Sequence, residues 1–135
     1  MTALTESRYT KHRDGLISAH PVKGITKIYK GSLVTAATGG YAVPGSDTAN
    51  EALLGVALEE ADNSSGADGD ITVRVQTYGV FSFAKSGTIT QANVGDTLYI
   101  FDDQTVALIT TTTNDIPCGQ LEGLDGSDVW ARIQL

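Results

Sequence analysis

Residues 70–85 read DITVRVQTYGVFSFAK and carry the longest strand pattern in the chain. Ile71, Val73 and Val75 alternate with Thr72, Arg74 and Gln76, the two-residue period of a strand with one buried and one wetted face. The pattern breaks at Thr77-Tyr78-Gly79, where glycine allows a bulge or tight bend, and resumes as Val80-Phe81-Ser82-Phe83-Ala84. This second half is apolar on both faces. In so small a chain it predicts that something outside the domain covers one of them, which makes Val80, Phe81 and Phe83 candidate oligomer-interface residues.

Outward from this element the chain repeats short apolar runs separated by turn formers. Residues 24–30 (GITKIYK) and 32–36 (SLVTA) read as strands broken at Gly31, and Tyr41-Ala42-Val43 is stopped by Pro44-Gly45-Ser46-Asp47. Residues 52–60 (ALLGVALEE) contain good helix formers, but Leu54, Val56 and Leu58 alternate. Gly55 in mid-segment and the flanking turns decide for a strand. Residues 97–101 and 105–109 flank Asp102-Asp103-Gln104 as a hairpin with an acidic tip. A further strand is expected at 116–122, a last turn at 123–126, and a final strand in DVWARIQL. There Val129, Ala131, Ile133 and Leu135 face one way and Trp130, Arg132 and Gln134 the other. Trp130 on the polar face is a fourth candidate interface residue, because aromatic side chains are favoured where subunits meet. Eight to ten short strands joined by Gly, Asp and Asn turns predict an all-β fold, a small barrel or sandwich.

Charge divides the chain unevenly. Residues 1–30 carry six bases against two acids, a balance of +4, whereas residues 31–135 carry three bases against fourteen acids, −11. Residues 1–20 show neither a helical stripe nor a convincing alternation, so residues 1–22 are expected to be a mobile arm ahead of a single β domain at 23–135. Such a basic arm has its own partner in view, and Arg8, Tyr9, Lys11, His12, Arg13 and His20 are its candidate contact residues. The acidic body argues against direct nucleic-acid binding, which needs a cationic footprint. No apolar run approaches the roughly 18 to 20 residues of a membrane span, and the first residues lack the order of a secretory signal. The chain is therefore expected to have no membrane partner and to be made in the cytoplasm. Cys118, the single cysteine, reads as a buried, inert thiol.

Catalytic constellations are hard to assemble. Both histidines lie in the arm, the carboxylates fall in turns, and the chain contains no phosphate-binding or dinucleotide glycine motif and no clustered Cys/His ligands. The acidic loop DNSSGADGD at 62–70 does not follow the spacing of a twelve-residue calcium loop and reads as a solvated turn. No catalytic residue, metal ligand or cofactor is nominated, and an enzyme is not expected.

The order KGSLVTA, GVALEE, DITVRVQTYGVFSF, VGDTLYIFDD, CGQLEG and VWARIQL, over residues 31–135, resembles the small capsid decoration (cement) proteins of tailed bacteriophages. The resemblance implies a β-tulip-like domain with an extended N-terminal arm. It implies a homotrimer on the outer capsid surface of the virion, made in the host bacterial cytoplasm, that bridges subunits of the major capsid protein in the expanded head. Of the other readings, a head-fibre or tail accessory module binding host-surface glycan would use Tyr41, Tyr78 and Trp130 as stacking platforms. A hydrolase built from paired carboxylates ranks last.

Overall fold

The computed structural model describes residues 2–11 and 15–134. It is all-β: the described residues hold twelve strands, one 3-10 turn and no α-helix. The strands are β1 (Ile17–Pro21), β2 (Thr26–Ile28), β3 (Leu33–Ala36), β4 (Ala42–Pro44), β5 (Ala52–Ala57) and β6 (Ala61–Asn63), followed by β7 (Thr72–Gln76), β8 (Gly79–Lys85), β9 (Thr97–Ile100), β10 (Thr105–Ala107), β11 (Pro117–Asp125) and β12 (Asp128–Ile133). β9, β11, β12, β8 and β10 close a barrel, its one parallel pairing being β10 with β8. β1, β7, β5, β3 and β4 form a five-stranded antiparallel sheet. That sheet curls until Val22, just past β1, bridges Ala42 of β4 in parallel. The ribbon of β2 and β6 covers the inside of the curl.

The curled sheet is shared between two cores. Leu33, Leu53 and Val56 point into the barrel and pack with Leu98, Ile100 and Ile133, whereas Val34 and Ala57 point the other way, toward Val73, Val75 and Ile28. Leu33, Val34 and Thr35 are consecutive and all buried. A strand apolar on both faces therefore exists in this chain, but it is β3, and both of its covers come from within the domain. Gly55, expected to sit within a strand, is a point of close approach between strands: it has φ +152°, and a Cβ there would lie 2.4 Å from the carbonyl oxygen of Gln76 in the neighbouring β7.

Three expectations are corrected. The arm does not extend to residue 22, because Ile17–Pro21 is an edge strand in antiparallel register with β7, and Val22 is fully buried. What fixes β1 is the exposed backbone edge of β7, a property of the partner rather than of its own side chains. The loop expected at 62–70 begins in β6. The turn expected at 123–126 is replaced by a longer β11, which runs to Asp125 through a bulge between Leu121 and Gly123. Glycine at position 123 suits that bulge, so here it marks an irregularity within a strand rather than its end.

Loops are fastened by polar contacts. The Asn63 amide, buried, donates to the carbonyls of Val22, Lys23 and Ala67 at 3.2, 3.0 and 2.9 Å. Across the molecule the Asp47 carboxylate accepts the backbone N–H groups of Thr113 and Asn114, each at 2.8 Å. The bond from Thr113 leads in holding this carboxyl below the usual carboxylate range, against a smaller opposing effect of burial. The contact is therefore fully stabilising above the ordinary value of 3.8 and is lost as pH falls through the lower folded value. Asp47→Ala is expected to cost about 1 kcal/mol at neutral pH. In denaturant titrations that gap to wild type should close in strongly acidic buffer; a gap that stays constant with pH would contradict the role given to this carboxylate.

Candidate functional site

The outer face of the β8–β12–β11 part of the barrel is the candidate site. Alternation along β12 sends Val129, Ala131 and Ile133 into the core, each with no exposed surface, and sends Asp128, Trp130 and Arg132 outward. In β8 the same alternation points Val80 and Ser82 outward, in register with Arg132 and Trp130. Trp130 thus stands between Ser82 on one neighbour and Gly123 on the other, two small residues that leave its ring 40% exposed. Val80 and Tyr78, 42% and 47% exposed, continue the patch toward the start of β8.

This face is held rigidly. The bulge in β11 takes Glu122 out of register and lets it meet Arg132 in a two-pronged contact, Nε to Oε2 and Nη2 to Oε1, both at 2.9 Å. The remaining prong, Nη1, donates to the Tyr78 hydroxyl at 2.9 Å. Glu122 first, then the Tyr78 hydroxyl, raise the guanidinium pKa above its ordinary value. The pair is solvent-exposed, so its value lies in orientation more than in stability. At the far end, Asp125 and Asp128 oppose one another across the β11–β12 turn, and neither forms an ion pair among the described residues.

No known protein family, curated protein or solved structure matches this chain.

The four candidate interface residues divide. Val80 and Trp130 share the outer face. Phe81 and Phe83 point the other way, their ring centres 6.4 Å apart; Phe83 is 5% exposed within the barrel core, and Phe81 is half-buried against it. Phe83 is therefore chiefly a core residue, showing only a small edge in the groove it lines with Phe81. Phe81 reaches only a shallow groove of about 320 Å³ between β8 and β5. Of the arm candidates, Arg8, Tyr9 and Lys11 lie in residues 2–11, which have no regular structure and are exposed throughout. His20 sits half-buried on β1 opposite Val73, away from them, and His12 and Arg13 lie outside the described residues. Arg132 and Glu122 escaped nomination. Alternation placed Arg132 beside Trp130, but the bulge that brings in Glu122 leaves no trace in the pattern.

Other chemistry-bearing groups are engaged locally. The Asp68 carboxylate accepts the Gly24 N–H at 2.8 Å, that of Asp70 the Ala67 N–H at 2.9 Å, and that of Asp62 the Ser64 N–H at 3.0 Å. The bonds of Asp70 and Asp62 close local turns, whereas that of Asp68 ties its loop to Gly24, far away in sequence. No group of three or more His, Cys, Asp or Glu placed to hold a metal ion occurs among the described residues. Four shallow grooves of about 310 to 400 Å³ each present at most one carboxylate. In one of them Asp103 has its pKa raised, by burial first and by Asp102 second. Cys118 is fully buried, and burial pushes its thiol up to about 12, far from a reactive thiolate. No helix among the described residues is long and apolar enough to cross a membrane.

Proposed function

We propose that this chain is a capsid decoration protein, a structural module that binds the outer surface of an expanded tailed-phage head and ties neighbouring major capsid protein subunits together, acting as a homotrimer. The observation that carries this reading is an exposed arm, residues 2–11, with Arg8 and Lys11 against Glu6 for a net charge of +1, joined to an all-β body that carries the chain's acidic excess. A rigid body supplies a plug, and an arm without fixed structure can follow a seam between subunits. Ordering that arm costs about 1 to 2 kcal/mol per residue, so it binds only where the shell returns good contacts. The mechanism is mechanical and no chemical step is assigned to any residue.

Cosedimentation with expanded and unexpanded shells is the test. Binding is expected to the expanded shell alone. Deleting residues 2–11 should weaken binding about tenfold or more while far-UV circular dichroism and melting temperature stay unchanged. The deletion must stop there, because residues 17–21 are part of the sheet. Undiminished binding by the deleted chain would remove the arm from the mechanism. A second reading, a head-fibre or tail module for host-surface glycan, draws on the open ring of Trp130 between Ser82 and Gly123; binding on a glycan array that is lost in Trp130→Ala would favour it.

A further inference from the structure

We infer that the arm of a second copy of this chain covers the Trp130 face, so that copies associate by exchanging arms. The inference rests on the self-association in the preceding reading but not on shell binding. Three observations meet at one place.

The first is location. The chain leaves the arm at Gly15 and Leu16, whose carbonyls accept the hydroxyl and the backbone N–H of Thr77, the latter bond 2.9 Å long. Thr77 is next to Tyr78, the start of the exposed patch. Donor root and acceptor face therefore adjoin on each copy. When one arm crosses to a neighbour, closed symmetry lets each copy in the assembly do the same.

The second is that the arm and the face are both left open. Leu4 and Tyr9 in the arm are 69% and 86% exposed, and the patch of Tyr78, Val80 and Trp130 stays uncovered. The arm does not lie on its own body. Tyr, Trp and Arg, the residue types that dominate binding energies at interfaces, are all present here, and the Glu122 fork holds Arg132 and Tyr78 in place in advance.

The third is charge and spacing. Outward positions on β12 recur every second residue, giving Asp128, Trp130 and Arg132. In an extended arm Tyr9 and Lys11 also share one side, about 7 Å apart. Laid antiparallel to β12, the arm puts Tyr9 over Trp130 and Lys11 over Asp128, beside Asp125. The opposed Asp125 and Asp128 gain the cation that their own fold does not give them. Like charges directly across a strand pair are destabilising when left alone.

Trp130 is the only tryptophan, so its emission reports on this face directly. Sedimentation at low salt should show the full chain self-associating, with a blue shift of emission that grows with protein concentration. Removal of residues 2–11 should abolish both. Asp128→Lys should weaken association about tenfold, and adding Lys11→Glu to it should restore most of the loss. Asp128 makes no contact inside the core, so these variants fold. A full chain that stays monomeric at about 0.1 mM overturns the exchange. So does a deleted chain that associates as well as wild type, a blue shift independent of concentration, or a double variant no better than Asp128→Lys. A chain monomeric in solution that still binds expanded shells would end arm exchange and leave shell binding standing without the preformed homotrimer; exchanged oligomers without shell affinity would do the reverse.

Discussion

Gly55→Ala is expected to destabilise the protein by about 3 kcal/mol, lowering the melting temperature by about 10 °C. The effect is large because two costs coincide. At φ +152° a side chain is strained, and the new methyl group would meet the Gln76 carbonyl, which is backbone and cannot swing aside. Relief requires β5 and β7 to separate, which loosens Val56 from the barrel core and Ala57 from the second core together. Chemical denaturation of the variant measures this directly. A loss below about 1 kcal/mol would mean that the strand pair gives way at little cost, contrary to the close packing of its two faces.

Leu33→Ala should cost about 3 kcal/mol, the usual penalty for emptying a fully buried leucine site. Its position makes the form of the transition informative as well. Leu33 leaves β3 toward the barrel, while its neighbour Val34 leaves toward the second core, and the Leu33 N–H donates to the Asp103 carbonyl in the β9–β10 hairpin at 2.8 Å. The two cores share a wall, so a void on either side should shift one common transition. Circular dichroism and Trp130 fluorescence are expected to give the same midpoint in Leu33→Ala and in Val34→Ala. Two separated transitions in either variant would show that barrel and curled sheet unfold independently.

Side-chain pattern made the all-β class readable, because Val73 and Val75, like Val129, Ala131 and Ile133, repeat at the strand period and are all buried where that period puts them. The same signal fails wherever a strand is held by something other than its own burial. Ile17–Pro21 has mostly exposed or half-buried side chains and owes its place to the open edge of β7, so its sequence resembles an arm. The apolar run at 80–84 invited a reading as an external interface, since alternation alone cannot say which face meets the core. Pairing with β12 supplies that answer: Phe81 and Phe83 go inward, Val80 outward. Of the candidate face, Trp130 and Val80 were legible. Glu122 was not, because a one-residue bulge shifts register without changing composition.

The place of β12 in the barrel has a consequence for biosynthesis. It lies between β8 and β11, so neither of those strands has its principal neighbour until residues 128–133 have been made. While the chain is still being translated, the apolar flanks of β8 and β11 are open to the wrong partners, the condition in which edge-to-edge aggregation begins. The acids in the intervening turns and at the end of β11, Asp96, Asp102, Asp103, Asp115 and Asp125, then act as repulsive gatekeepers on the nascent chain. A part of the body's negative charge accordingly protects the polypeptide before the barrel exists.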